Sequence, residues 1–234
     1  MNNKKRKNEP QSTNSVPPQP KPTVVGIGAS AGGFAALKKL FEHVPADCGL
    51  AFVVVVHLSP EHKSHLADLL QRFAHFPVQQ VNENTLLEPN NVYVIPPNAN
   101  LSAIDTHLRL SKLEEQRRER APIDHFFRTL AATHDGHAIG VILTGTGSDG
   151  TLGLKEIKAK GGLIIVQDPN EAEFDGMPQS AIATGLVDRI LPLSEIPTRW
   201  FAMCRRSRAC LRSMTVPSLT KSRREFSFPS CLPF

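Results

Sequence analysis

Residues 51–57, AFVVVVH, constrain this chain more than any other segment. They form a β-branched apolar run with no alternation, whereas a strand with one wet face shows a period of two. Such a strand needs cover on both faces. Residues 24–28, 138–144 (AIGVILT) and 163–167 read as further strands of the same kind. Between them lie stretches with helical spacing: 34–43, with Leu37, Leu40 and Phe41 on one face, and 62–73, with Leu66, Leu69 and Leu70. Residues 123–134, 152–160 and 177–184 complete the set of helices, and 186–193 reads as a last strand. Strands alternating with helices predict an α/β fold: a doubly wound three-layer α/β/α sandwich with a mainly parallel sheet. Residues 91–95 and 107–111, around a Pro-Pro-Asn loop, are expected to add one antiparallel hairpin, and the charged run 114–120 a surface loop.

Charge divides the chain into parts. Of the formal net charge of +5 over 234 residues, residues 1–22 carry +4 and residues 201–234 carry +6, which leaves the body at −5. The first 22 residues are Lys-, Asn-, Gln- and Pro-rich and are expected to be a disordered basic arm. Residues 23–200 are the globular body, and 201–234 form a basic tail rich in Cys and Ser. No apolar run approaches the roughly 20 residues a bilayer requires, and the basic start has no apolar segment behind it. Cys48 stands alone in the body, and Cys204, Cys210 and Cys231 lack zinc-ligand spacing. Free thiols in a cytoplasmic protein are the expectation.

In a doubly wound sheet, ligands gather beyond the carboxyl ends of the strands. Three loops there carry chemistry. Gly26-Ile27-Gly28-Ala29-Ser30-Ala31-Gly32-Gly33 reads either as a dinucleotide loop or as a nucleophile elbow with Ser30 on a tight strand-to-helix turn, and Ser30 as a plain helix cap is a third reading. The dinucleotide reading needs an acidic residue at the end of the second strand. That strand ends Val56-His57-Leu58 instead, and Asp47 precedes it. His57 emerges where a general base for Ser30 belongs, although a histidine at a strand end also serves structure. His62 and His65 are spaced i, i+3 with no evident third metal ligand. Thr144-Gly145-Thr146-Gly147-Ser148-Asp149-Gly150 is the third loop. Its Asp149 either holds a histidine or caps the helix that follows. The order Ser, His, Asp is not that of the α/β-hydrolases, where histidine comes last.

The motifs GIGASAGG, VVVVHLSP, VILTGTGSDG and DPNEAEFDGMPQSAIATG, in this order, resemble the catalytic domain of the chemotaxis-type protein-glutamate methylesterases, the CheB family, over residues 23–200. The resemblance implies a hydrolase that cleaves glutamyl methyl esters on chemoreceptor signalling helices and releases methanol; many members also deamidate receptor glutamines. It implies Ser30 as nucleophile, His57 as base and Asp149 as the histidine's partner. The backbone N–H groups of Ala31 and Thr146 match the oxyanion donors, at positions where family members often have Thr and Met. Met177, in Gly176-Met177-Pro178, matches a substrate wall. Neither cofactor nor metal is implied. The expected partners are methylated receptors and a counterpart methyltransferase, with no nucleic acid and no membrane insertion. The family's usual N-terminal receiver domain has no counterpart in residues 1–22, whose length resembles the start of methylesterase–methyltransferase fusions. On that reading the tail is the remnant of a truncated or frame-shifted fusion, and the alternative function is an idle receptor- or adaptor-binding module.

Overall fold

The structure, a computed structural model, describes residues 21–57, 65–112 and 121–200. The chain divides into two units, one ending at Pro197 and the other beginning at Thr198. The fold below is that of the first. In chain order its elements are β1 (Thr23–Ala29), α1 (Gly33–Phe41), β2 (Leu50–Val56), α2 (Leu66–Gln71), β3 (Val78–Gln80), β4 (Asn84–Leu86), β5 (Asn91–Val94), β6 (Ala99–Ile104), β7 (His107–Lys112), α3 (Pro122–Thr133), β8 (Ala138–Ile142), α4 (Thr151–Ala159), β9 (Leu163–Gln167), α5 (Gly176–Ala183) and β10 (Arg189–Leu191).

Seven strands form one sheet in the order β10-β9-β8-β1-β2-β5-β3, and every neighbouring pair is parallel. β1, β2 and β8, the unalternated runs, lie together at its centre, where both faces are covered. Gly26 is in register with Val53 on one side and Gly140 on the other. A Cβ on Gly26 would lie 2.9 Å from Phe127 and 3.0 Å from Phe126, both on α3, and one on Gly140 would lie 2.8 Å from Leu154 and Ile157 of α4. Glycines therefore floor one face of the sheet so that α3 and α4 can settle onto it. Phe52, in register with Val25, points to the opposite face. There it meets Phe41 of α1 edge-on and stacks on Phe76, each at a centroid separation of 5.7 Å. Helices thus cover both faces, as the sequence predicts.

The hairpin is corrected. β5 does not pair with β7; it lies in the large sheet between β2 and β3. The antiparallel partner of β7 is β6, and β4 on its other edge makes a separate three-stranded sheet. The β6–β7 turn is Asp105-Thr106, with Asp105 at a φ of 52°, so it carries no glycine to advertise it. β3 and β4 are three residues each, too short to show a period. The last strand shortens from 186–193 to Arg189–Leu191. α2 buries Leu66 and Leu70, but Leu69, expected at a core position, is 37% exposed. Residues 62–64 and the charged run 114–120 lie outside the described residues, as do the arm's first 20 residues and the tail.

At the end of α3, His134 is 1% exposed. Its Nδ1 faces the Thr133 hydroxyl at 2.9 Å, while Nε2 is buried without a hydrogen-bond partner among the described residues. Burial, together with the charges of Lys21 and His137, lowers its pKa from 6.5 to about 4, against an opposing pull from Asp105. Between those values the unfolded chain binds the proton that the folded protein refuses. Stability is therefore expected to fall as pH drops from about 6.5 to about 4, by on the order of 3 kcal/mol in full. Urea melts of His134→Leu against wild type should show this acid loss only in the wild type. A second prediction concerns the glycine floor. A Cβ on Gly28 would lie 2.6 Å from Ile123 Cγ2. Gly28→Ala should cost about 1–3 kcal/mol by overpacking, read as a lower urea midpoint.

Candidate active site

β1 lies between β2 and β8, and the chain crosses from one side of it to the other between β5 and β8. The carboxyl end of β1 is thus the switch point of the sheet, where a crevice opens between diverging connections. Ser30 follows β1, His57 follows β2, and Asp149 lies in the loop after β8. The Ser30 hydroxyl donates to His57 Nδ1 at 3.3 Å, and His57 Nε2–H donates to Asp149 Oδ2 at 2.8 Å. The imidazole bridges the end of β1, with 34% of its side chain exposed, while Asp149 is 8% exposed. In the familiar serine-protease arrangement the two ring nitrogens have the opposite assignments. With Nε2–H given to the carboxylate, the Nδ1 lone pair remains for the serine proton.

Asp149 is held by more than the histidine. Its Oδ2 accepts the N–H of Ile123 at 3.1 Å and its Oδ1 that of Asp124 at 3.0 Å, two first-turn amides of α3. The sequence left open whether Asp149 caps the helix after it or holds a histidine. It does hold His57, and the helix it caps is α3, from elsewhere in the chain. Asp124 answers from α3: its Oδ1 accepts the Gly153 N–H in the first turn of α4 at 2.7 Å. Burial and the charge of Asp149 raise the Asp124 pKa, opposed by the Gly153 and Leu152 amides and by Arg128.

The 144–147 loop is packed against Ser30. A Cβ on Gly145 would lie 2.2 Å from Met177 Sδ and 2.9 Å from Ser30 Cβ, so only glycine fits. Met177 is fully buried against this loop. Its N–H donates to Gly145 O at 2.8 Å. Among the described residues the N–H groups of Ala31 and Thr146 have no hydrogen-bond acceptor. Ser30 O accepts the Gly33 N–H at 2.9 Å, which holds the Ser30–Ala31 peptide in place. No group of three or more His, Cys, Asp or Glu residues among those described is placed to hold a metal. His65 faces Asp68 at 3.5 Å, and His62 lies outside the described residues. The sequence shows neither the capping role of Asp124 nor the packing role of Gly145; an aspartate on an otherwise apolar helix face was the one available signal for the former.

Comparison with known proteins fits this arrangement. The family model for the CheB methylesterase matches residues 25–200. The chain belongs to the CheB methylesterase family. It is similar to the Burkholderia orbicola "Protein-glutamate methylesterase/protein-glutamine glutaminase 3", 37% identical over 207 residues, which cover 83% of this chain and 59% of that protein. A Leptospira interrogans relative is 37% identical over 171 residues, 73% of this chain and 89% of that protein. Among solved structures, the Thermotoga maritima CheB methylesterase catalytic domain matches with a TM-score of 0.71 at 30% identity, covering 78% of this chain and 99% of that one. The similarity to CheB thus spans the whole sheet and all three loops of the site.

Because Asp149 caps α3 while His57 caps no helix among the described residues, the two should separate in stability. Asp149→Ala should lose about 1–2 kcal/mol, as for other lost helix caps, and His57→Ala should stay within about 0.5 kcal/mol of wild type in urea denaturation.

Proposed function

We propose that this chain is a protein-glutamate methylesterase that hydrolyses glutamyl methyl esters on chemoreceptor signalling helices. The observation that carries the reading is the relay from Ser30 through His57 to Asp149 at the switch point of a CheB-family sheet. Ser30 Oγ attacks the ester carbonyl as its proton passes to His57 Nδ1. Asp149 keeps the proton on Nε2 and stabilises the imidazolium. The Ala31 and Thr146 N–H groups receive the oxyanion; each such donor is worth about 10²–10³ in rate. The carbonyl carbon then releases methoxide, which leaves as methanol with the proton from Nδ1. Water enters, gives its proton to Nδ1 and attacks the acyl-serine. Collapse returns one proton to Ser30 and frees the glutamate carboxyl group, which gives its remaining proton to solvent.

The relatives' glutaminase names extend the proposal to side-chain amides, where the same cycle releases ammonia. A counterpart methyltransferase supplies the ester, and the reaction belongs to the cytoplasm, where receptor signalling helices are met. No helix among the described residues is long and apolar enough to cross a membrane. The dinucleotide alternative has no support at the end of β2, where His57 stands in place of a carboxylate.

Methanol release from membranes bearing methylated receptor tests the proposal. Ser30→Ala should lower release by at least about 10³-fold with an unchanged unfolding midpoint. Release from Ser30→Ala close to that of wild type would remove the serine mechanism.

A further inference from the structure

We propose that the Thr144 side chain is a positioning residue that sets the spacing of the two oxyanion donors, an inference that rests on the esterase reading above. Thr144 follows β8 and is 1% exposed. Every polar group it has is used. Its N–H donates to Gln167 Oε1 at 2.8 Å, and Gln167 is itself buried at the end of β9. Its carbonyl accepts the Ser30 N–H at 3.0 Å. Its Oγ1 lies 3.1 Å from Ala31 O, 3.1 Å from Phe174 O and 2.8 Å from Phe174 N. A hydroxyl has one proton to give and two lone pairs. Oγ1 therefore accepts the Phe174 N–H and gives its one proton to Ala31 O, because Phe174 O already accepts the Gly145 N–H.

These contacts converge on the oxyanion donors from both sides. Ser30 N–H and Ala31 O are the outer groups of one dipeptide, and both are bound to Thr144, one by its main chain and the other within reach of its side chain. The inner peptide between them carries the Ala31 N–H. Its orientation is then determined at both ends, and a third time by the bond from Gly33 N–H to Ser30 O. On the other side, Phe174 O accepts the Gly145 N–H at 2.9 Å, one residue before Thr146. One buried hydroxyl thus connects the turn that bears the Ala31 N–H to the segment that anchors the Thr146 N–H. Displacing a donor by a fraction of an ångström costs the developing oxyanion more than the ground-state ester. The hydroxyl should therefore act on kcat and not on KM.

Four proteins decide it: wild type, Thr144→Val, Thr144→Ala and Thr144→Ser, each assayed for methanol release. Val and Ala should lower kcat about 10–100-fold with KM within twofold, on the scale of a weakened oxyanion donor. Ser, which restores the hydroxyl without the methyl, should return kcat to within about threefold of wild type. If Val does not fold, the Ser–Ala pair, which differs by the hydroxyl alone, carries the comparison. Equal kcat in Ser and Ala, or a loss confined to KM, overturns the proposal. The ¹⁵N–¹H amide signals of Ala31 and Thr146 give a readout that needs no substrate. They should shift or broaden in Ala and stay at wild-type positions in Ser; identical spectra for Ser and Ala overturn the proposal as well. A wild type that releases no methanol through Ser30 defeats the esterase reading alone, since the amide comparison still judges Thr144.

Discussion

Two carboxylates exchanged between two helix N-termini hold the site together. The first turn of a helix leaves amide protons unpaired and carries a positive field. Here neither α3 nor α4 has a side-chain cap from its own N-cap residue, Ala121 or Gly150. Asp149, just ahead of α4, serves α3; Asp124, inside α3, serves α4. The helices are therefore locked in register at the ends that face the carboxyl edge of the sheet. The same Asp149 oxygen that takes the Ile123 amide also takes His57 Nε2–H, so the orientation of the imidazole is fixed by helix packing.

That interlock requires α3 and α4 to lie close to the sheet and to each other. Glycine makes the room on both surfaces. Gly26, Gly28 and Gly140 remove side chains from the sheet beneath α3 and α4, and a Cβ on Gly153 of α4 would lie 2.4 Å from Phe127 Cβ of α3. Phe126, Phe127, Leu130, Leu154 and Ile157 fill the space so gained, and all are fully buried. The apolar contact supplies the driving force, and the paired carboxylates choose one relative placement out of the several that an apolar surface would tolerate.

Legibility followed the range of the interactions. β2 and β9 were read almost to the residue because unalternated apolar runs have few other fates. The β5–β7 hairpin was misread because two apolar segments around a turn-like Pro-Pro-Asn suggest local pairing, whereas β5 found its partners in β2 and β3 across the chain. Ser30, His57 and Asp149 were legible as strand-end residues, since parallel strands in one sheet deliver their following loops to a common edge. Asp124 and Thr144 were not. A single aspartate in an amphipathic helix and a threonine at a strand end have ordinary local explanations, and their partners lie 29 and 113 residues away.

The sequence by itself determined the parallel sheet, the residues at its carboxyl edge and, through four ordered motifs, the family. These follow from local composition, from period and from the rule that strand ends collect ligands. Tertiary structure alone decided which imidazole nitrogen faces Ser30, which helix Asp149 caps, and that Met177 packs fully buried against the Gly145 loop. Each of these depends on distances between segments far apart in the chain, set by how closely glycine-floored strands let the helices approach.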